Sequence, residues 1–121
     1  MRIVKKVYDG IRMHCRAYRN QESCGYIFGN ATIKDLIQGK NLDESPVSYT
    51  IDPDTTLKSV FRKDFAGVYH SHFGDPTPSG IDESKKKYPN KLYLIYSISQ
   101  DILKAYKWDG KQFSEENVEV V

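Results

Sequence analysis

A mixed α/β or α+β fold is what this sequence predicts, with helices set among the strands of a mostly antiparallel sheet. Three observations predict it. An apolar stripe of helical period runs through the first 19 residues, short apolar or alternating runs recur between turn residues, and Asp109-Gly110 divides the last two of those runs. Val4, Val7, Ile11, Cys15 and Tyr18 recur at steps of three and four, which predicts a helix over about residues 4–19. Gly10 lies inside it at a cost of about 0.5–1 kcal/mol, so packing rather than propensity has to hold this helix. From Cys24 to Phe28 the chain reads as a strand, Gly29-Asn30 as a turn and residues 32–37 as the returning arm of a hairpin. Residues 47–51 read as another short strand. Asp52-Pro53 then supplies an N-cap and a first-turn proline, opening a helix of about three turns with Leu57, Val60 and Phe61 as its expected buried face.

Residues 65–72 alternate, with Ala66, Val68, His70 and His72 expected on one side and Gly67, Tyr69 and Ser71 on the other. Gly74-Asp75-Pro76-Thr77-Pro78 cannot continue that strand. Ser79 with Asp82 or Glu83 starts a short helix expected to close at Pro89, with Lys85-Lys86-Lys87 as a solvated face. Leu92 to Ile98 reads as a strand buried on both faces. Residues 102–108 and 111–120 then pair around Asp109-Gly110, the strongest hairpin signal in the chain. Tyr93, Tyr96 and Tyr106 are expected to pack in the sheet rather than to form a nucleobase platform.

No repeat, low-complexity tract or linker interrupts the 121 residues, so a single domain over 1–121 is expected. Charged residues make up 28% of the chain, and 18 basic against 16 acidic side chains leave a net charge of +2. That balance fits neither disorder nor a nucleic-acid partner. The longest apolar run, Leu92 to Tyr96, falls far short of the about 20 residues needed to cross a bilayer, so no membrane association is expected. Met1 to Lys6 is basic but has no apolar segment behind it, unlike a secretory signal. Cys15 and Cys24 lack a C-x-x-C spacing, which makes the reducing cytoplasm the default compartment and Cys24 a small buried hydrophobe. Oligomeric state leaves no signature in the sequence.

The chemistry concentrates at His70-Ser71-His72. On a strand, positions i and i+2 share a face, so both imidazoles can reach one point about 2.0–2.1 Å from their ring nitrogens. They stand at the end of an otherwise apolar strand, where a rigid scaffold presents ligands at a pocket mouth. Ten residues on, Asp82 offers a carboxylate that would complete a two-histidine, one-aspartate zinc site with a position left for water. Amide hydrolysis also needs a base that accepts the water's proton and passes it to the leaving nitrogen, and Glu22 is the candidate.

Glu22-Ser23-Cys24-Gly25, His70-Ser71-His72 and Ser79-Gly80-Ile81-Asp82 resemble the glutamate, H-x-H and S-x-x-D elements of the JAMM (MPN+) metalloprotease domain of prokaryotic JAB type. Asn41, Ser45-Pro46, Ile51-Asp52-Pro53 and Gly67-Val68-Tyr69 also match that family's run of residues, and the resemblance extends over nearly the whole chain. It implies a JAB/MPN-type fold, a curved, mostly antiparallel sheet flanked by helices and related to cytidine deaminase. It implies a zinc-dependent isopeptidase or peptidase that cuts the amide after the C-terminal tail of a ubiquitin-like protein. In that picture His70, His72 and Asp82 bind zinc, Glu22 is the general acid/base, and Ser79 hydrogen-bonds the oxyanion. Small stand-alone members are linked to ubiquitin-fold sulfur carriers with a C-terminal Gly-Gly tail. One departure stands out. Six residues rather than the family's usual seven separate His72 from Ser79, and Phe73 takes the place of a proline. Asp75 and Glu83 are therefore alternative third ligands.

Two other functions compete. A non-catalytic MPN-type interaction domain would have the same fold without the ligands, whereas every candidate ligand is present here. Gly74-Asp75-Pro76-Thr77-Pro78-Ser79 also resembles a loop in a DNA-repair-associated branch of the superfamily, although the charge pattern gives nucleic-acid binding little support. Zinc nucleobase deaminases need an H-x-E and a P-C-x-x-C, and the sequence has neither.

Overall fold

The computed structural model describes residues 1–85 and 87–121, and these form an eight-stranded sheet with three helices. In chain order the elements are β1 (Arg2–Ile3), α1 (Lys5–Ala17), β2 (Cys24–Gly29), β3 (Thr32–Gln38), α2 (Pro53–Val60) and β4 (Phe65–His72). They continue with α3 (Gly80–Ser84), β5 (Leu92–Ser97), β6 (Ile102–Trp108), β7 (Phe113–Glu116) and β8 (Glu119–Val120). The strands lie in the order β7-β6-β5-β4-β2-β3-β1-β8. The longer ladders are antiparallel except β4–β5, and β1 pairs parallel with both β3 and β8.

The connectivity dictates the shape. Eight strands at about 4.8 Å spacing would make a flat sheet about 34 Å across. Yet β7 and β8 occupy opposite edges with only Asn117 and Val118 between them. Two linking residues hold the neighbouring strand ends within about 11 Å. The sheet therefore has to curl, and it does so around α1. The helix contributes Val7, Ile11 and Cys15 to a core with Ile3, Ile27, Tyr69, Leu94 and Tyr96. A second cluster, built on Tyr26, Phe28, Phe65, Val68 and Tyr93, fills the opposite face. β4 is buried on both sides between these clusters, as are β2 and β5 beside it. Gly67 lets β4 and β5 approach: a Cβ there would sit 2.0 Å from the Leu92 carbonyl oxygen.

Several expectations need correction. Residues 47–51 form no strand; apart from one bridge between Ile51 and Asn41 they are a loop. Its backbone bonds are local: the Asn41 side chain accepts from Thr50 N–H and donates to the Ser48 carbonyl, Val47 N–H donates to the Ser45 hydroxyl, and the Thr50 carbonyl accepts from Leu42 N–H. The α2 helix buries Thr55 and Ser59, while Leu57 and Phe61 are 65% and 80% exposed. Of the three expected apolar contacts, Val60 alone packs against the core. The helix rests on β2 and β3 through the small residues Thr55 and Ser59, whose hydroxyls are satisfied by Asp52 Oδ2 and the Thr55 carbonyl.

A register shift between Ile27 and Phe28 leaves Ala66 unpaired on β4, so Ala66 packs with the α1-side core and Val68 with the opposite cluster. The α3 helix ends at Ser84, well before Pro89. Lys85 and Lys87 lie beyond it, with their ammonium groups over the rings of Tyr49 and Trp108; Lys86 is outside the described residues. Finally, the strand expected over 111–120 is divided. Phe113–Glu116 pairs with β6, and Glu119–Val120 crosses to pair with β1.

Candidate metal centre

The register of the sheet brings the predicted residues together. On the β2–β4 ladder Cys24 lies opposite His70, and Ser71 N–H donates to the Ser23 carbonyl one step further on. Continuing that register by one residue sets Glu22 across from His72, on the face the two histidines share. Because β4 and β5 are parallel, the chain must cross over between them. The crossover carries α3, which returns Asp82 to the carboxyl end of β4. Ser79 and Asp82 form a reciprocal capping box. The Ser79 hydroxyl accepts from Asp82 N–H at 3.1 Å and Asp82 Oδ2 accepts from Ser79 N–H at 2.9 Å. The cap uses Oδ2 and leaves Oδ1 turned to His70.

Around this point His70 Nε2 and His72 Nε2 are 3.2 Å apart. Asp82 Oδ2 lies 3.0 Å from His72 Nε2 and Asp82 Oδ1 3.3 Å from His70 Nε2. Glu22 Oε2 stands 3.6 Å from His72 Nε2, and one donor atom from each of the four residues falls within 4.8 Å of the others. Ligands bonded at about 2.0–2.1 Å around a tetrahedral zinc stand about 3.3–3.4 Å apart, so the two imidazoles and Asp82 have the spacing of a zinc donor set. His72 Nδ1 lies 2.8 Å from the Asp75 carbonyl and donates to it, so Nε2 is the nitrogen turned to the cluster, where without a metal it donates to Asp82 Oδ2. Glu22 Oε1 is buried and finds no partner, as expected of an oxygen that faces a site.

Burial tunes each group. Glu22 is 4% exposed, and loss of water pushes its carboxyl up to about 8, with Asp82's charge adding and His72's opposing. For Asp82, burial acts upward, but hydrogen bonds from both histidines outweigh it and hold the carboxyl well below the usual range. His70 is driven toward its neutral form by burial. In His72, burial is outweighed by hydrogen bonds to Asp82 and the Asp75 carbonyl, and its pKa is raised. A buried pair of carboxylates against two imidazoles is a group able to hold a metal ion.

Ser79 is half-buried and lines, with Glu22 and His72, a groove of about 660 Å³ whose rim carries the exposed side chains of Val47, Phe73 and Ile81. Asp75 and Glu83 stand outside the donor cluster. Both are exposed, and the Asp75 carboxylate accepts from Gln100 Nε2 at 2.8 Å. Cys24 is fully buried, and burial pushes its thiol up to about 12. Tyr93, Tyr96 and Tyr106 are all buried in the sheet. Sequence reasoning missed the Asp75 carbonyl, because a main-chain acceptor leaves no residue signature. It also missed Tyr49, whose ring stacks on His70. The role of Asn41 likewise emerges only in three dimensions: its amide donates to the Glu22 carbonyl at 2.9 Å, fixing the segment that carries the carboxylate.

A curled mixed sheet with two strand-borne histidines, an aspartate on the crossover and a glutamate ahead of the neighbouring strand defines a JAB/MPN-type fold with a metal-capable centre. The chain belongs to the family of prokaryotic homologues of the JAB domain, whose model matches residues 4–109. It is similar to a desampylase from Haloferax volcanii, 31% identical over 109 residues, an alignment covering 82% of this chain and 78% of that protein. Its fold matches the solution structure of a protein from Desulfitobacterium hafniense with a TM-score of 0.85 and 27% identity, covering 100% of this chain and 93% of the other. It also matches the crystal structure of a JAB1/MPN domain protein from Archaeoglobus fulgidus, with a TM-score of 0.65 and 18% identity over 100% of this chain and 96% of that one. Among the described residues no helix is long and apolar enough to cross a membrane.

Proposed function

We propose that residues 1–121 act as one domain, a zinc-dependent isopeptidase or peptidase that hydrolyses the amide bond after the C-terminal tail of a ubiquitin-like or sulfur-carrier protein. The observation that carries this reading is the convergence of Glu22, His70, His72 and Asp82 on one point at the mouth of a groove. In this reading His70, His72 and Asp82 hold the metal. Zinc bound there would acidify water toward a pKa of about 7 and polarise a carbonyl. Glu22, buried beside the ligands with Oε1 free of any partner, takes the proton from the attacking water and hands it to the leaving nitrogen. Ser79 keeps a hydroxyl hydrogen free of the capping bond and donates it to the oxyanion, a contact worth about 3–4 kcal/mol of barrier.

The similarity to a protein named desampylase supports a ubiquitin-like modifier as substrate. An extended C-terminal tail would lie along the groove that Val47, Phe73, Ser79 and His72 line. No nucleic acid or membrane takes part in this scheme, and the two free, buried cysteines suit a cytoplasmic setting. The test is incubation of zinc-loaded protein with ubiquitin-fold proteins carrying short C-terminal extensions, the cut being located by mass. Cleavage after Gly-Gly that is abolished by chelation and by Glu22→Gln is expected. An intact substrate set in the presence of bound zinc would instead favour a binding role for the domain.

A further inference from the structure

The two histidines of the cluster are held in different ways. His72 has an outer hydrogen bond, from Nδ1 to the Asp75 carbonyl. His70 has none: its Nδ1 is buried without a partner. Ligating histidines ordinarily rely on such a bond to fix the ring. What His70 has instead is Tyr49, whose ring lies 4.5 Å away, centroid to centroid, at an interplanar angle of 26°. The ammonium of Lys85 sits 4.0 Å from the centre of the same tyrosine ring. Both residues line a mainly apolar groove of about 470 Å³ with Tyr26, Tyr88 and Tyr93. Tyr49 is thus the partition between that groove and His70, which is 2% exposed. No hydrogen bond involves the Tyr49 hydroxyl among the described residues, so its contribution comes from the face of the ring.

We propose that Tyr49 is the positioning residue for His70, fixing the imidazole plane by stacking in place of the missing outer hydrogen bond and covering the face of the ring on the groove side. The Lys85 ammonium backs the stack by a cation–π contact that holds Tyr49 against the histidine. This inference rests on the metal-binding reading given above. It places an element of the centre on the loop over residues 41–51, which supplies no ligand.

The test compares zinc affinity, by competition with a chromophoric chelator, in wild type, Tyr49→Phe and Tyr49→Leu. Phenylalanine keeps the stack and is expected to bind zinc within about two-fold of wild type. Leucine fills similar space without an aromatic face and is expected to weaken binding about ten-fold, in the range found for loss of an outer-shell partner. Equal weakening by both variants, or none by leucine, would overturn the proposal while leaving the zinc reading intact. Wild-type protein that takes up no zinc would overturn both. Should the leucine variant not fold, wild type alone decides. The His70 ring protons should show upfield ring-current shifts and cross-peaks to the Tyr49 ring, and their absence would refute the stack.

Discussion

Replacing Glu22 by glutamine tests the buried carboxylate without altering its shape. In chelated protein the Glu22 carboxyl is pushed from the usual 4.5 up to about 8, chiefly by burial. Between those two values the folded state holds a proton that the unfolded chain has released. Stability therefore falls as pH rises through this window. At about 1.4 kcal/mol per pH unit the upper bound is roughly 5 kcal/mol, and structural relaxation around the charge lowers the effect to roughly 2–4 kcal/mol. Glutamine does not titrate. Glu22→Gln should thus match wild type near pH 5 and exceed it increasingly toward pH 8. For a chain of this size that difference is about 10 °C in melting temperature. Thermal melts of both proteins in chelator from pH 5 to 9 would measure it. With zinc present the positive ion favours the carboxylate, so the advantage of glutamine should shrink while hydrolysis is lost. A difference between the two proteins that stays constant with pH would show that Glu22 does not occupy the buried position derived for it.

Three further outcomes are expected. Asp82→Asn should cost roughly 100-fold or more in zinc affinity, whereas Asp75→Ala retains the main-chain carbonyl that orients His72 and should change affinity only a few-fold; the reverse order in a chelator competition would make Asp75 the ligand. Gly67→Ala drives a methyl group into the Leu92 carbonyl and should cost about 3 kcal/mol or more in urea unfolding, or prevent folding; a near-neutral change would mean that β4 and β5 are further apart than described. His14 is buried against the Tyr69 hydroxyl at 2.6 Å, with its pKa lowered by burial. The unfolded chain binds its proton first as pH drops below 6.5, so stability falls there by up to about 1.4 kcal/mol per pH unit, and His14→Gln should flatten this part of the profile.

Much of the centre was legible because its parts are local patterns. His70 and His72 share a face by strand alternation, Ser79 and Asp82 are a capping box, and both geometries hold in three dimensions. The first helix was legible from its stripe, although His14 joins its buried side and Tyr18 is exposed beyond its end. What escaped were features decided by tertiary partners. Arg2–Ile3 is too short to show a pattern and exists as a strand because β3 and β8 flank it. Val47 to Ile51 has the composition of a strand, but the Asn41 side chain takes the Thr50 N–H and Ser48 carbonyl, and pairing stops at the single Asn41–Ile51 bridge. Leu57 and Phe61 follow a helical spacing, yet the helix buries its small Thr55/Ser59 side and leaves them in solvent.

The pairing of β8 with β1 fastens the chain that leaves one edge of the sheet to the strand at the other. Glu119 N–H donates to the Met1 carbonyl, Val121 N–H to Ile3 and Lys5 N–H to Val121, so the stitches are few and lie within a handful of residues. Cutting them by deleting residues 117–121 would do more than fray an edge. Without them the two edges are no longer tied together, and the sheet loses a constraint that wraps it over the apolar side of α1.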